Sequence, residues 1–115
     1  MLAYLGDAVI ELAVRGKLVK AAGSHIMPER LHGEALLFVT AEKQSEAVEK
    51  ILPVLTEAET EIYKRGRNAK SRVQKRASVT DYRRATGLEC LFGYLYLAGD
   101  QPRINELFDI AFGEE

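Results

Sequence analysis

The stretch from Tyr82 to the turn at Gly99 constrains the fold of this chain more than any other part of its sequence. Its large apolar residues recur at the i, i+3, i+4, i+7 and i+8 positions of a helix, namely Leu88, Leu91, Phe92, Leu95 and Tyr96. This spacing places them on one face of an α-helix, whereas a half-buried strand would need alternation with a period of two. Gly99-Asp100-Gln101-Pro102 then predicts the end of the helix.

The rest of the chain also has helical spacing, and no segment has the pattern of a strand. Helices are predicted from the start of the chain to Ala22, from Pro28 to Val39, from Ala41 to Ile51, from Thr56 to Lys64 and from Arg103 to Phe112. Residues 66–80 have no sustained apolar period, and we interpret them as a loop or a frayed helix. The predicted fold class is therefore all-α.

Length and composition restrict the chain to a small set of protein classes. Its 115 residues suit one domain with one core. No apolar run approaches the roughly 18 to 20 residues that a membrane-spanning helix needs, and the N-terminus lacks the pattern of a secretory signal. The single cysteine, Cys90, excludes an internal disulfide. We expect a cytoplasmic protein with no membrane segment.

The formal net charge of −1 conceals a strongly polarised distribution. Between Lys64 and Arg84 the chain carries nine basic side chains and one acid, Asp81, so this segment of 21 residues has a charge of +8. The other 94 residues carry seven basic and 16 acidic side chains, a charge of −9. Such a local basic segment suits a polyanionic partner.

Two acids stand out because each lies in an apolar helix beside a glycine. Asp7 follows Gly6 in LAYLGDAVIEL, and Glu89 lies four residues before Gly93 in TGLECLFGYLYL. Carboxylates from two packed helices can hold Mg²⁺ through their oxygens, and the missing side chains would leave room for an ion or a phosphate. Two alternatives stay open on the pattern alone. Asp7 could cap a helix N-terminus, and Glu89 could lie on a solvated stripe.

The basic segment has the chemistry of a phosphate-binding surface. Its candidate RNA-binding residues are Lys64, Arg65, Arg67, Asn68, Lys70, Ser71, Arg72, Lys75, Arg76, Arg83 and Arg84. Because residues 66–81 contain no aromatic side chain, they do not suit stacking on single-stranded bases. Contact with a duplex backbone fits better. The alternative is a solvated loop or a docking tail without an RNA role.

These motifs together resemble the ribonuclease III family. LAYLGDAVIEL is similar to the family's signature helix, which reads apolar-x-Phe/Tyr-Leu-Gly-Asp-Ala/Ser-Val. YRRATGLECLFGYLYLAGD is similar to the second acidic helix, with its Glu-Ala-Leu-x-Gly-x-x-Tyr-Leu motif. YKRGRNAKSR and YRRATG resemble one bacterial branch, Mini-ribonuclease III, which has the catalytic domain and no double-stranded-RNA-binding domain. The resemblance covers almost the whole chain, and it predicts a single catalytic domain over residues 1–115.

The resemblance implies a homodimeric, all-α endoribonuclease that cleaves double-stranded RNA with Mg²⁺, or with Mn²⁺ in its place. Asp7 and Glu89 match the family's catalytic, metal-binding acids. The family's products carry 5′-phosphate and 3′-hydroxyl ends. The substrates of the branch include the precursor of large-subunit (23S) ribosomal RNA, which makes a ribosomal protein or the pre-ribosome a further expected partner.

The chain departs from the family pattern at several positions. Full-length bacterial ribonuclease III has acids where this chain has Ala3 and Thr86, and another that would lie before Met1. We therefore expect a domain that lacks its N-terminal residues. Glu11 and Thr86 are candidates for stabilising the metal site without binding the ion themselves. The alternative function is a non-catalytic module that binds structured RNA or the ribosome on the same scaffold.

Overall fold

The computed structural model describes residues 1–22, 40–69 and 78–113. These residues form five α-helices: α1 (Leu2–Ala22), α2 (Ala41–Ile51), α3 (Glu57–Asn68), α4 (Val79–Leu97) and α5 (Gln101–Phe112). A short 3₁₀ turn, Leu52–Val54, links α2 to α3. The described ranges contain no strand, so the all-α prediction is confirmed. No helix within them is long and apolar enough to cross a membrane.

Helix α4 lies at the centre of the bundle and packs against the other four helices. Tyr96, predicted on the same face, lies near the C-terminal end of α4 and is 52% exposed, but the other four positions of the face are buried. Leu88, Leu91 and Phe92 are fully inaccessible to solvent and Leu95 is nearly so. They pack with residues from every other helix, among them Ile10, Val48, Tyr63 and Leu107. Burial of this shared apolar core is the main favourable term that holds the helices together.

Side-chain caps set the ends of the helices on either side of the 3₁₀ turn. Thr40 accepts a hydrogen bond from the backbone N–H of Lys43 at 3.2 Å, and α2 has the predicted bounds Ala41–Ile51. Thr56 and Glu59 form a reciprocal capping box at the start of α3. The Glu59 carboxylate also accepts two hydrogen bonds from Arg103, at 2.8 and 2.7 Å, which fasten α3 to α5. These bonds hold the pKa of Glu59 below its usual value, although burial alone would raise it.

Three predicted helix ends were wrong by two to four residues. Helix α3 continues past Lys64 to Asn68, because Gly66 does not end the helix but lies buried in a helix contact. Helix α4 begins at Val79 rather than Tyr82, because the Ser78 hydroxyl caps it by accepting from the N–H of Asp81 at 3.0 Å. Helix α5 begins two residues before Arg103. The predicted helix from Pro28 to Val39 lies outside the described residues.

Candidate active site

Helices α1 and α4 meet backbone to backbone at two glycines. A Cβ atom on Gly6 would lie 1.6 Å from the carbonyl oxygen of Glu89, and one on Gly93 would lie 2.3 Å from that of Leu2. The paired positions run in opposite directions, so the two helices cross antiparallel. Real side-chain atoms cannot approach this closely, and both positions therefore require glycine.

This close crossing brings the two predicted acids together. The carboxyl groups of Asp7 and Glu89 lie within hydrogen-bonding reach of each other. Partial burial of Glu89, then its hydrogen bond with Asp7 and the charge of Asp7, raise the pKa of Glu89 to about 8. Without a cation, the pair therefore retains a proton at neutral pH, as carboxyl groups that share one site do.

The local structure excludes both alternative interpretations of the acids. Helix α1 begins at Leu2, so Asp7 lies in its second turn and cannot cap its N-terminus. Glu89 is partly buried and faces another carboxyl group, so it does not lie on a solvated stripe. Our interpretation of the glycines was also wrong. Gly6 and Gly93 do not leave space beside the acids, because that space is filled by the backbone of the opposite helix.

The arrangement fits a hard divalent cation whose remaining ligands are water or phosphate. Two carboxylates on different helices supply oxygen ligands, which Mg²⁺ and Mn²⁺ accept, and a cation between them would relieve the repulsion of two charged groups. Asp7 is exposed, so solvent can reach the pair from its side. Within residues 1–22, 40–69 and 78–113, no group of three or more His, Cys, Asp or Glu side chains could hold a metal. Among the described residues the pair therefore supplies two protein ligands, and water or phosphate oxygens can serve as others.

The two residues predicted to support the site make hydrogen bonds within their own helices. The Glu11 carboxylate accepts a hydrogen bond from Arg15 one turn later on α1. The Thr86 hydroxyl donates to the carbonyl oxygen of Tyr82, one turn earlier on α4, at 3.0 Å. These contacts account for both side chains as parts of their helices, and a role near the metal stays a prediction.

The basic end of α3 lies next to the acid pair. A Cβ on Gly66 would lie 2.8 Å from the Cβ and Sγ atoms of Cys90, the residue that follows Glu89. On the same side of α4, a Cβ on Gly87 would lie 2.7 Å from two ring carbons of Tyr63, also on α3. This contact was not predicted from the sequence, where its only signal is a glycine in each helix. The contact carries the last turns of α3, with their cations, to the helix that bears Glu89.

The structure separates the predicted RNA-binding residues into three groups. Lys64, Arg65, Asn68 and Arg83 are exposed, whereas Arg67 and Arg84 are partly buried. The Arg67 guanidinium lies over the Tyr63 ring, 5.8 Å from its centroid, and Arg84 forms an ion pair with Glu49 on α2. The third group, Lys70, Ser71, Arg72, Lys75 and Arg76, lies outside the described residues.

Comparison with known proteins identifies the class to which this fold and site belong. The Ribonuclease III domain model matches residues 1–100, and the chain therefore belongs to the ribonuclease III family. It is an endoribonuclease. A crystal structure of a protein from Fusobacterium nucleatum has the same fold, with a TM-score of 0.83 at 31% identity, over 95% of this chain and 86% of that one.

The chain is also similar to curated bacterial proteins called Mini-ribonuclease 3. The relative from Brevibacillus brevis is 43% identical over 97% of this chain and 83% of its own length. The relative from a Synechococcus strain is 48% identical over 92% of this chain and 74% of its own length. The resemblance noted from LAYLGDAVIEL and YRRATGLECLFGYLYLAGD is thereby confirmed.

The raised pKa of Glu89 makes a prediction about the stability of the metal-free protein. The folded state keeps this proton at pH values where the unfolded chain has lost it. The free energy of unfolding should therefore fall as the pH rises from about 4.5 to about 8. Glu89→Gln removes the titration, so with EDTA its Tm should exceed that of the parent at pH 9 and match it near pH 4. The exposed Glu61→Gln is the control, and a parent as stable as Glu89→Gln at pH 9 would contradict the prediction.

Proposed function

We infer that this endoribonuclease cleaves double-stranded RNA with the help of Mg²⁺, or of Mn²⁺ in its place. The observation that carries this proposal is the meeting of the Asp7 and Glu89 carboxyl groups where α1 crosses α4. A pair of acids has no structural use there, since two adjacent carboxyl groups repel each other when ionised. The pair also favours an enzyme over the alternative of a non-catalytic RNA-binding module.

Asp7 and Glu89 would have different roles in binding the ion and the substrate. Glu89 is partly buried on the central helix, so its carboxylate is held in place, and it must release its proton before it can bind a cation. Asp7 is exposed, so it can reach both the ion and the phosphodiester. When bound, Mg²⁺ supplies a water of lowered pKa and offsets the charge on the leaving oxygen.

The cations beside the acid pair would bind the phosphates of the duplex. Lys64, Arg65, Arg67 and Asn68 lie at the end of α3 that the Gly66 contact brings next to Glu89, and Arg83 lies six residues before Glu89 on α4. Arg and Lys in this position neutralise phosphates without reading bases. Five further residues remain predicted contributors from the sequence, namely Lys70, Ser71, Arg72, Lys75 and Arg76.

A second copy of the chain is the proposed partner at the outer face of α1. Tyr4 is 88% exposed and Leu12 is 72% exposed. Together with the exposed Ala8 they lie at i, i+4 and i+8, on one stripe of the helix that carries Asp7. A stripe of large apolar side chains left in water is typical of an interface, and pairing two copies through it would form a symmetric homodimer.

The natural substrate is proposed to be the precursor of large-subunit (23S) ribosomal RNA, in the bacterial cytoplasm. Its support is the family resemblance together with bacterial relatives that share most of the chain. Cleavage would leave 5′-phosphate and 3′-hydroxyl ends, and a ribosomal protein or the pre-ribosome would present the RNA. Processing of a labelled precursor transcript, with and without ribosomal proteins, tests this part separately from cleavage of a plain duplex.

The catalytic assignment is tested by removing one charge at a time from the acid pair. Asp7→Asn and Glu89→Gln should each lower the rate of duplex cleavage by at least about a hundredfold, because the ion loses one of its two protein ligands. Duplex affinity should change little, since the cations remain. Glu61→Gln, an exposed acid on α3, is the matched control. If Glu89→Gln cleaves as fast as the parent, the proposed metal site is wrong.

The dimer is tested by placing a charge on the exposed stripe. Leu12→Glu should convert a dimer into a monomer in light scattering after size exclusion, because an unpaired carboxylate would be buried in the interface. Val54→Glu is the control, since Val54 is also an exposed apolar residue, at 44%, but lies in the 3₁₀ turn. A parent that is monomeric at micromolar concentration would contradict the proposal.

A further inference from the structure

Arg84 is partly buried against α2, whereas the adjacent Arg83 is exposed. Its Nη1 atom donates to the Ser45 hydroxyl at 3.3 Å and to the Glu49 carboxylate at 3.1 Å, both on α2. Its side chain is only 25% exposed, and Ser45 is buried. These bonds hold the guanidinium against α2 and pair its charge with Glu49. Arg84 therefore differs from the other basic residues between Lys64 and Arg84.

The Tyr63 hydroxyl on α3 lies close enough to this guanidinium to interact with it. Partial burial acts to lower the pKa of Arg84, but Glu49 and the Tyr63 hydroxyl outweigh it, and the pKa is raised. Tyr63 itself is only 2% exposed. Its ring edge rests against Gly87, where even a Cβ atom would come within 2.7 Å. Arg84 thus joins α2, α3 and α4 at the one tyrosine that the α3–α4 contact encloses.

The face of the Tyr63 ring supports Arg67. The two residues are one turn apart on α3, and the Arg67 guanidinium lies 5.8 Å from the ring centroid, within cation–π range. Its Nε also donates to the Asn68 side chain at 3.2 Å. The orientation of Arg67 therefore depends on a ring whose hydroxyl end is held by Arg84.

We propose that Arg84 is a positioning residue: it fixes the Tyr63 ring, and the ring holds Arg67 in the orientation that binds a phosphate of the duplex. The proposal rests on the proposed function, in which Arg67 contacts the RNA backbone. It replaces the sequence prediction that Arg84 itself contacts RNA. Arg84 and Glu89 are five residues apart on α4, about 7.5 Å along its axis. The same helix thus fixes both the phosphate-binding cation and the metal-binding acid.

Binding of a short RNA duplex without divalent cations, which prevents cleavage, tests the proposal. Arg67→Gln and Arg84→Gln should each raise Kd by about fivefold or more, roughly the loss of one charge-assisted contact. Because both changes remove the same contact, the double variant should bind no more weakly than the worse single variant. Arg83→Gln, the matched control, should multiply the loss of Arg67→Gln. Losses from Arg67→Gln and Arg84→Gln that multiply would overturn the positioning role.

Two conservative variants separate a positioning role from direct contact and from general destabilisation. Arg84→Lys keeps the charge but cannot hold Ser45, Glu49 and Tyr63 together, so it should lose as much affinity as Arg84→Gln. Tyr63→Phe keeps the ring and removes only the hydroxyl, and it should show the same loss. Tm is measured for every variant, and affinity is compared only at temperatures where each is folded. Parent-like affinity of either variant would overturn the proposal.

The outcomes for Arg67 distinguish this proposal from the function on which it rests. If Arg67→Gln binds the duplex like the parent, Arg67 is not a phosphate contact, and both the proposed contact and the role of Arg84 fail. If Arg67→Gln weakens binding but Arg84→Gln, Arg84→Lys and Tyr63→Phe do not, the proposed contact stands and only the positioning role fails. Weakening by all four variants, with no further loss in the double variant, supports both.

Discussion

The backbone contact between α1 and α4 at Gly6 and Gly93 is the constraint on which the rest of the structure depends. Any side chain at either glycine would have to occupy the carbonyl group of the opposite helix. Close approach at this point brings Asp7 within hydrogen-bonding reach of Glu89, although 82 positions separate them in the chain. If α1 and α4 crossed at a larger distance, the apolar core could still pack, but Asp7 and Glu89 would no longer meet. Packing tolerates small shifts, whereas two groups that share a ligand do not.

The second close contact, of α3 with α4, uses the same device for a different purpose. Gly66 meets Cys90, and Gly87 meets the Tyr63 ring. Cations in the last turn of α3 are favoured by the negative end of the helix dipole whatever their function. Because the contact places this end of α3 against the helix that bears Glu89, the cations form a positively charged surface beside the acid pair. Helix α3 has acids in its first turn and cations in its last turn, and this arrangement contributes to the uneven charge distribution of the whole chain.

The acid pair is a local conflict within an otherwise consistent fold. Burial and the neighbouring carboxyl group disfavour the ionised form of Glu89, as its raised pKa shows. The helix caps, the apolar faces and the Glu59–Arg103 ion pair all favour the same arrangement of helices. Conflicts of this kind are typical of functional sites, where a ligand supplies the interaction that the protein alone lacks.

The sequence predicted the fold class and one helix with its bounds, because apolar periodicity and the Thr40 cap are local signals. It misplaced the end of α3, because Gly66 resembles a helix breaker in the sequence but serves a helix contact in the structure, and it misplaced the start of α4 because the Ser78 cap was not recognised. Periodicity named Asp7 and Glu89 without giving their separation, which depends on the crossing of two distant helices. The partners of Arg84 could not be predicted from the sequence for the same reason, since Glu49 lies 35 residues away in the chain.

The affinity of the metal-free protein for Mn²⁺, measured by titration calorimetry at pH 8.5, tests the central claim most directly. That claim is that Asp7 and Glu89 hold one cation jointly at the α1–α4 crossing. Asp7→Asn and Glu89→Gln should each weaken the affinity by at least about tenfold, while Glu61→Gln, which changes an exposed acid on α3, should bind like the parent. Equal affinities for the parent, Asp7→Asn and Glu89→Gln would contradict the account.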